Sequence, residues 1–159
     1  MSTKSKPYFS SGREVLTTIV TCVLIISVTV IILRMMGRPL ISTLGTVNLW
    51  HGEIVSSENS QHISDWYSFT HFAHGFSIYF LLWSISGILP QIRKFSISLV
   101  VAIVLESAWE VFENTDFIIN RYREATVALD YYGDSVINST ADILFMSLGF
   151  LMASRLPVI

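Results

Sequence analysis

The stretch ESAWEVFENTDFIINRYREATVALDYYGDSVINSTAD, residues 106 to 142, decides how this chain folds and where its chemistry lies. Glu106, Glu110 and Glu113 fall at i, i+4 and i+7, which on a helix makes one narrow carboxylate stripe. Asp134, Asn138 and Asp142 repeat the device at i, i+4 and i+8, on the segment entering the last apolar run. Both stripes are joined to long hydrophobic segments. An ionisable side chain in a membrane span costs about 2.5–3.5 kcal/mol on insertion scales and marks a functional site by default.

Composition places those segments in a bilayer. The chain of 159 residues is 52% hydrophobic and 14% charged, where a soluble domain carries about 25% charged residues. Ten Lys/Arg against twelve Asp/Glu leave a net charge of −2, which gives no basis for nucleic-acid binding. Cys22 is the single cysteine and lies in an apolar run, so an intramolecular disulfide and a thiolate metal cluster are excluded. No linker, charge block or repeat divides residues 1–159, which read as one membrane domain.

Working outward, Val15 to Leu33 is uncharged and long enough to cross a hydrocarbon core of about 30 Å. A secretory signal would have a shorter apolar region and a small-residue cleavage site, so an uncleaved anchor is expected. The segment from Arg38 to Trp66 is polar and mixed. Leu40, Ile41, Leu44, Val47, Leu49, Trp50 and Ile54 suit a short interfacial element, and Trp50, Trp66 and Tyr67 an aromatic belt. Ser64 or Asp65 is the expected N-cap of the next helix. Pro90 stops that span, and Gln91, Arg93 and Lys94 form a short turn. Residues from Ile118 onward read as a connection, with Gly133-Asp134 as its turn signal.

The expected fold is therefore an all-α polytopic bundle of four transmembrane helices, at about 15–36, 67–89, 95–117 and 135–156. With both termini cytoplasmic, Lys4, Lys6, Arg13, Arg93, Lys94 and Arg155 lie inside and Arg34, Arg38, Arg121 and Arg123 outside. The bias favours that orientation. Whatever the orientation, four spans bring the 38–66 and 118–134 loops to one membrane face. His71 and His74, Glu110 and Glu113, and Asp134, Asn138 and Asp142 then meet at that face.

Carboxylates crowded in a low-dielectric helix need protonation, a cationic partner or a metal. His71 and His74 lie one turn apart and are candidate nitrogen ligands beside Glu106, Glu110, Glu113, Asp134 and Asp142. Imidazoles with carboxylates and no thiolate suit zinc, iron or manganese. A metal-free proton relay or acid–base pair competes with that reading, and so does a hydrogen-bond network that only glues spans together. Glu110, Glu113 and His74 are the expected catalytic groups. Arg121, Arg123 and Asn138 are candidates for binding substrate, with the arginines either clamping a head group or neutralising Glu113, Asp116 and Glu124. Gly149, Ala153 and Ser147 are small enough for close helix packing.

The segments SENSQHISDWYSFTHFAHGF (57–76), ESAWEVFEN (106–114), INRYRE (119–124) and GDSVINSTAD…GF (133–150) closely resemble an uncharacterised family of small bacterial multi-pass inner-membrane proteins. The resemblance covers roughly residues 45 to 157 and implies a bacterial inner-membrane location, with no established activity. The acid-bearing span followed by an Asp…Asn…Asp…Gly pattern also resembles VanZ-like membrane proteins. The leading expectation is a membrane-embedded hydrolase or transferase, acting on a lipid or lipid-linked substrate at the extracytoplasmic face. A non-catalytic protein that binds or translocates a head group, ion or proton, or serves as an assembly subunit, is the alternative. Membrane lipids are the expected partners.

Overall fold

The computed structural model describes residues 9–125 and 130–156. Lys4 and Lys6, on which the expected orientation partly rests, lie outside the described residues. Among the described residues the fold is all-helical: α1 (Gly12–Met35), α2 (Ser68–Ile85), α3 (Phe95–Glu113), α4 (Asp116–Ala125) and α5 (Val136–Ala153), with no strand. A single 3-10 turn, Pro90–Arg93, links α2 to α3.

Three of these helices, α1, α3 and α5, are long and apolar enough to cross a membrane. The sequence predicts four such spans. α2 falls short because its 18 residues include His71, His74, Ser68, Thr70, Ser77 and Ser84. The other departures concern helix ends. α2 stops at Ile85 rather than near Leu89. α3 stops at Glu113 rather than 117, because Asn114 caps it by donating its N–H to the Glu110 carbonyl at 3.2 Å. The expected connection after 117 is then partly helical. In α4, Ile119 and Tyr122 share one inward face at i and i+3, while Asp116, Arg121 and Arg123 stay outside.

α2 packs chiefly against α5, and α1 leans on α3 at the bundle's edge. Cys22, Leu82, Ala102, Ile103, Ile143, Met146 and Phe150 form the buried apolar core. The α2–α5 seam is closed by two glycines. A Cβ on Gly75 would stand 2.2 Å from the Met146 carbonyl oxygen, and one on Gly149 2.0 Å from that of Phe72. Only small residues permit backbones this near.

Residues 37–66 contain no helix and form a cap over one end of the bundle. The first N–H groups of α5 have no intrahelical acceptor, and the cap supplies them. Ser135, Val136 and Ile137 donate to the carbonyls of Ser60, Pro39 and Leu40 at 2.9, 2.8 and 3.1 Å. Ser135 Oγ accepts from the Asn138 N–H at 3.2 Å and donates to the Gln61 carbonyl at 3.0 Å. Gln61 Nε2 reaches the Gly133 carbonyl at 2.8 Å, and Asn138 Nδ2 the His62 carbonyl at 2.9 Å. Asp65 is not the side-chain cap of α2. Its carboxylate instead accepts from the N–H groups of Ser60 and Tyr67 at 2.9 and 2.7 Å. Ser60 adopts a left-handed φ of 58°, which these bonds on either side hold in place. The expected interfacial element is an irregular loop whose Leu44, Leu49, Trp50 and Ile54 face outward.

His62 is buried in this cap with its Nδ1 accepting from the Asn48 N–H at 3.3 Å. Burial lowers its pKa below the usual 6.5, with His51 adding to the effect and Glu58 and Asp65 opposing it. A histidine held neutral in the fold is protonated first in the open state, so the cap's stability is full above about pH 6.5 and declines below it. The hydrogen-exchange protection of residues 38–66, corrected for the intrinsic pH dependence of amide exchange, should therefore fall from pH 7.5 to 5.5, and His62→Gln should flatten that dependence. The seam gives a second test. Gly149→Ala should cost about 1–3 kcal/mol through overpacking, read as thermal stability in detergent. Gly87→Ala, whose Cβ meets open space, should leave stability unchanged.

Candidate metal centre

The helix period places Glu106 and Glu110 one turn apart on α3, and the glycine seam brings His71 of α2 and Asp142 of α5 against them. Glu106, Glu110, His71 and Asp142 are all nearly fully buried. His71 Nδ1 lies 2.7 Å from Glu106 Oε1 and 3.2 Å from Glu110 Oε1, and its Nε2 lies 3.8 Å from Asp142 Oδ2. A carboxylate can only accept, so the short contact with Glu106 puts a proton on Nδ1 and leaves Nε2 turned toward Asp142. His74 is half-exposed. Its Nδ1 sits 3.1 and 3.2 Å from the two Glu106 oxygens, and its ring meets Trp109 edge-on.

Two sets of three ligand atoms, each within 4.8 Å of one another, arise from this geometry: His71, Glu110 and Asp142, and His71, His74 and Glu106. The first set is wholly buried. Glu110 Oε2 and Asp142 Oδ1 are buried without a hydrogen-bond partner, and Glu110 Oε1 has the His71 ring 3.2 Å away but no well-aligned donor. Such groups cost about 1–3 kcal/mol each, and more when charged, unless something supplies the missing partner.

Glu113 and Asp134 stand outside both sets. Tyr122 of α4 donates its hydroxyl to Glu113 Oε1 at 3.0 Å, and Glu113 Oε2 is left unpartnered. Asp134 accepts from the Tyr131 hydroxyl at 2.7 Å and from Asn114 Nδ2 at 2.8 Å, while its N–H donates to Asn114 Oδ1 at 2.8 Å. Burial, aided by the Glu113 charge, pushes Asp134 up to about 7 against those hydrogen bonds. Burial and the neighbouring carboxylates also raise Tyr122 and Tyr131, which remain hydroxyl donors at neutral pH. A cavity of about 160 Å³ opens beside the centre. It is lined by Asn59, Ser60, Tyr67, His71, Glu113, Tyr122, Tyr131, Asp134, Asn138 and Asp142.

Of the residues singled out by sequence, His71, His74, Glu106, Glu110 and Asp142 are thus gathered at one point, and Glu113, Asp134 and Asn138 line the adjoining cavity. Asn138 is committed to the cap. The two arginines are elsewhere: Arg121 is exposed, and exposed Arg123 donates from Nε to the Tyr131 carbonyl. Sequence reasoning missed Asn114, Tyr131 and the cap residues Asn59, Ser60 and Gln61. Asn114 had a legible signal, a C-cap amide one residue past the carboxylate stripe.

The sequence matches, over residues 33–159, a family described as Protein of unknown function (DUF2585). It is 52% identical over 135 residues to a UPF0314 protein of Paracoccus denitrificans (strain Pd 1222), covering 85% of this chain and 68% of that protein. A UPF0314 protein of Sinorhizobium fredii (strain NBRC 101917 / NGR234) is 47% identical over 140 residues, covering 88% of this chain and 69% of the relative. One of Sphingopyxis alaskensis (strain DSM 13593 / LMG 18877 / RB2256) is 54% identical over 125 residues, covering 79% and 64%. No solved structure matches the chain.

Proposed function

The chain belongs to the DUF2585 family, and from that premise we propose that it is a membrane-embedded, metal-dependent hydrolase or transferase acting on a lipid or lipid-linked substrate. The observation that carries this reading is the wholly buried cluster of His71, Glu110 and Asp142, in which the Glu110 carboxylate has the His71 ring 3.2 Å away but no well-aligned hydrogen-bond donor. A shared proton satisfies one oxygen of such a pair. A divalent cation accepts an oxygen from each acid and the free nitrogen of His71 together. Three protein ligands with an open side toward a cavity are the pattern of catalytic rather than structural zinc sites.

When bound there, a zinc, iron or manganese ion supplies Lewis acidity and a nucleophile at neutral pH. Glu106 orients His71 through the Nδ1 bond, as carboxylates behind ligating histidines do. Glu113, with one oxygen held by Tyr122 and the other free, is placed to take or return a proton in the cavity. His74 shares Glu106 with His71 and holds that carboxylate from the open side.

In this reading α2 crosses the bilayer as a fourth span. Its 18 residues reach about 27 Å at 1.5 Å each, close to the hydrocarbon thickness. Of its polar side chains, His71 and Ser68 are turned into the bundle, where they cost least, while the exposed Thr70, Ser77 and Ser84 donate their hydroxyls to backbone carbonyls about one turn back. The termini are then cytoplasmic, in a bacterial inner membrane, and the cap and cavity face the extracytoplasmic side.

Two measurements test these statements. Reporter fusions at Arg93 and after Ile159 should read cytoplasmic, and one near Asn59 extracytoplasmic; Asn59 and Arg93 on one side would end the four-span arrangement. Purified protein should carry close to one equivalent of a divalent metal that chelation removes. Glu110→Gln and His71→Ala should each lose it, and Glu110→Gln should be at least as stable to heat as the chelated parent because it removes a buried charge that the metal no longer offsets. Equal destabilisation of both variants, with no metal in the parent, would favour a purely structural network.

A further inference from the structure

Beyond the ligand set, the cavity's own lining selects a class of substrate. Three carboxylates, Glu113, Asp134 and Asp142, and three tyrosines, Tyr67, Tyr122 and Tyr131, face it, and no lysine or arginine is among the described residues that do. The arginines that would clamp a phosphate lie outside: Arg121 is exposed, Arg123 is bound to the Tyr131 carbonyl, and Arg38 reaches the Tyr132 carbonyl and Asp116 instead. One divalent cation at His71, Glu110 and Asp142 offsets the two acids it touches and leaves Glu113 and Asp134 facing the space. The buried, unpartnered Asp142 Oδ1 and Glu113 Oε2 show that acceptors in this wall lack donors.

We infer that the cavity binds a small ammonium-bearing group, such as an amine head group, and excludes free phosphate. An ammonium offers only donors, which is what a wall of acceptors lacks. Tyrosine rings add the aromatic surface that favours cations over neutral alcohols. A space of about 160 Å³ admits an aminoethanol-sized group and not a sugar chain. Tyr67, half-exposed at the rim where α2 begins, is continuous with the outward Trp66 and Phe69, so the mouth opens beside an apolar aromatic surface. That placement suits a head group presented from the bilayer interface.

The inference rests on the reading that substrate meets the centre through this cavity. Its test can fail separately from that reading. The full chain in detergent is titrated with ethanolamine hydrochloride, choline chloride and inorganic phosphate, following heat and intrinsic fluorescence, with bound metal measured on the same samples. Ethanolamine should bind and phosphate should not. Glu113→Gln should weaken ethanolamine about tenfold, the loss of one hydrogen bond to a charged group. Tyr67→Ala should weaken it roughly two- to fivefold and removes no carboxylate, so it carries the test if Glu113→Gln does not fold. Nanodiscs of phosphatidylethanolamine that compete with free ethanolamine, where phosphatidylglycerol nanodiscs do not, would assign the amine to a lipid; competition by neither would assign a soluble amine. Phosphate binding as tightly as ethanolamine, an unchanged affinity in the folded variants, or no amine binding would overturn the inference. Metal present without amine binding defeats only this inference, and amine binding without metal defeats only the metal centre.

Discussion

The structure is organised around the burial of carboxylates against a single imidazole. Glu106, Glu110 and Asp142 are placed around His71 in a bundle whose apolar core is Cys22, Leu82, Ala102, Ile103, Ile143, Met146 and Phe150. Charged groups taken from water in this way are tolerated only with close partners, and closeness requires that α2, α3 and α5 meet tightly. The glycine pair on the α2–α5 seam provides that. Without Gly75 and Gly149 the helices would stand further apart, and His71 would be drawn away from Asp142. Packing in the apolar half of the bundle and chemistry in its polar half are thus set by one helix approach.

The cap extends the same logic to the end of the bundle. Four helix N–H groups cannot be left bare near a low-dielectric interior, and here Ser60, Pro39, Leu40 and the Ser135 hydroxyl receive those of Ser135 to Asn138. The bonds also bring Asn59 and Ser60 to the cavity wall. On its other side the cap is apolar: Trp50, Trp66 and Phe69 form a cluster of edge-on and tilted rings, and Leu44 and Leu49 are exposed. A loop polar inward and aromatic outward suits a position at a membrane surface, where tryptophan finds both an apolar and a wet neighbour.

The helix spacing of Glu106, Glu110 and Glu113 and that of Asn138 and Asp142 were legible because they follow the 3.6-residue period, whereas Asp134 lies ahead of α5, whose N-cap is Ser135. Their convergence on His71 followed from antiparallel connection alone. The division of labour within the arrays was not legible. Glu110 turns to the centre while Glu113 turns to Tyr122, and that is fixed by Asn114 ending α3 and by α4 folding back beneath it. α4 itself was hidden by its length. Ten residues with only Ile119 buried give a weak apolar pattern that competes poorly with a loop reading. The arginines misled for a related reason: their sequence position beside Tyr122 says nothing of which face of a short helix they occupy.

α2 shows why a hydropathy criterion and a functional site pull in opposite directions. A helix reads as a span when its whole surface is apolar, yet a bundle with a polar centre needs at least one helix with a polar stripe. In α2 that stripe runs through Ser68, His71 and Gly75, all buried, while Phe69, Phe80, Leu81 and Trp83 face outward. Averaging over the helix mixes the two faces and lowers the mean hydropathy of the very element that supplies the imidazoles. The outer face is mainly apolar and aromatic, with Thr70, Ser77 and Ser84 also exposed on it. Of the residues that lower the mean hydropathy of α2, His71 and His74 are those the site requires, while Thr70, Ser77 and Ser84 are exposed and lie outside it.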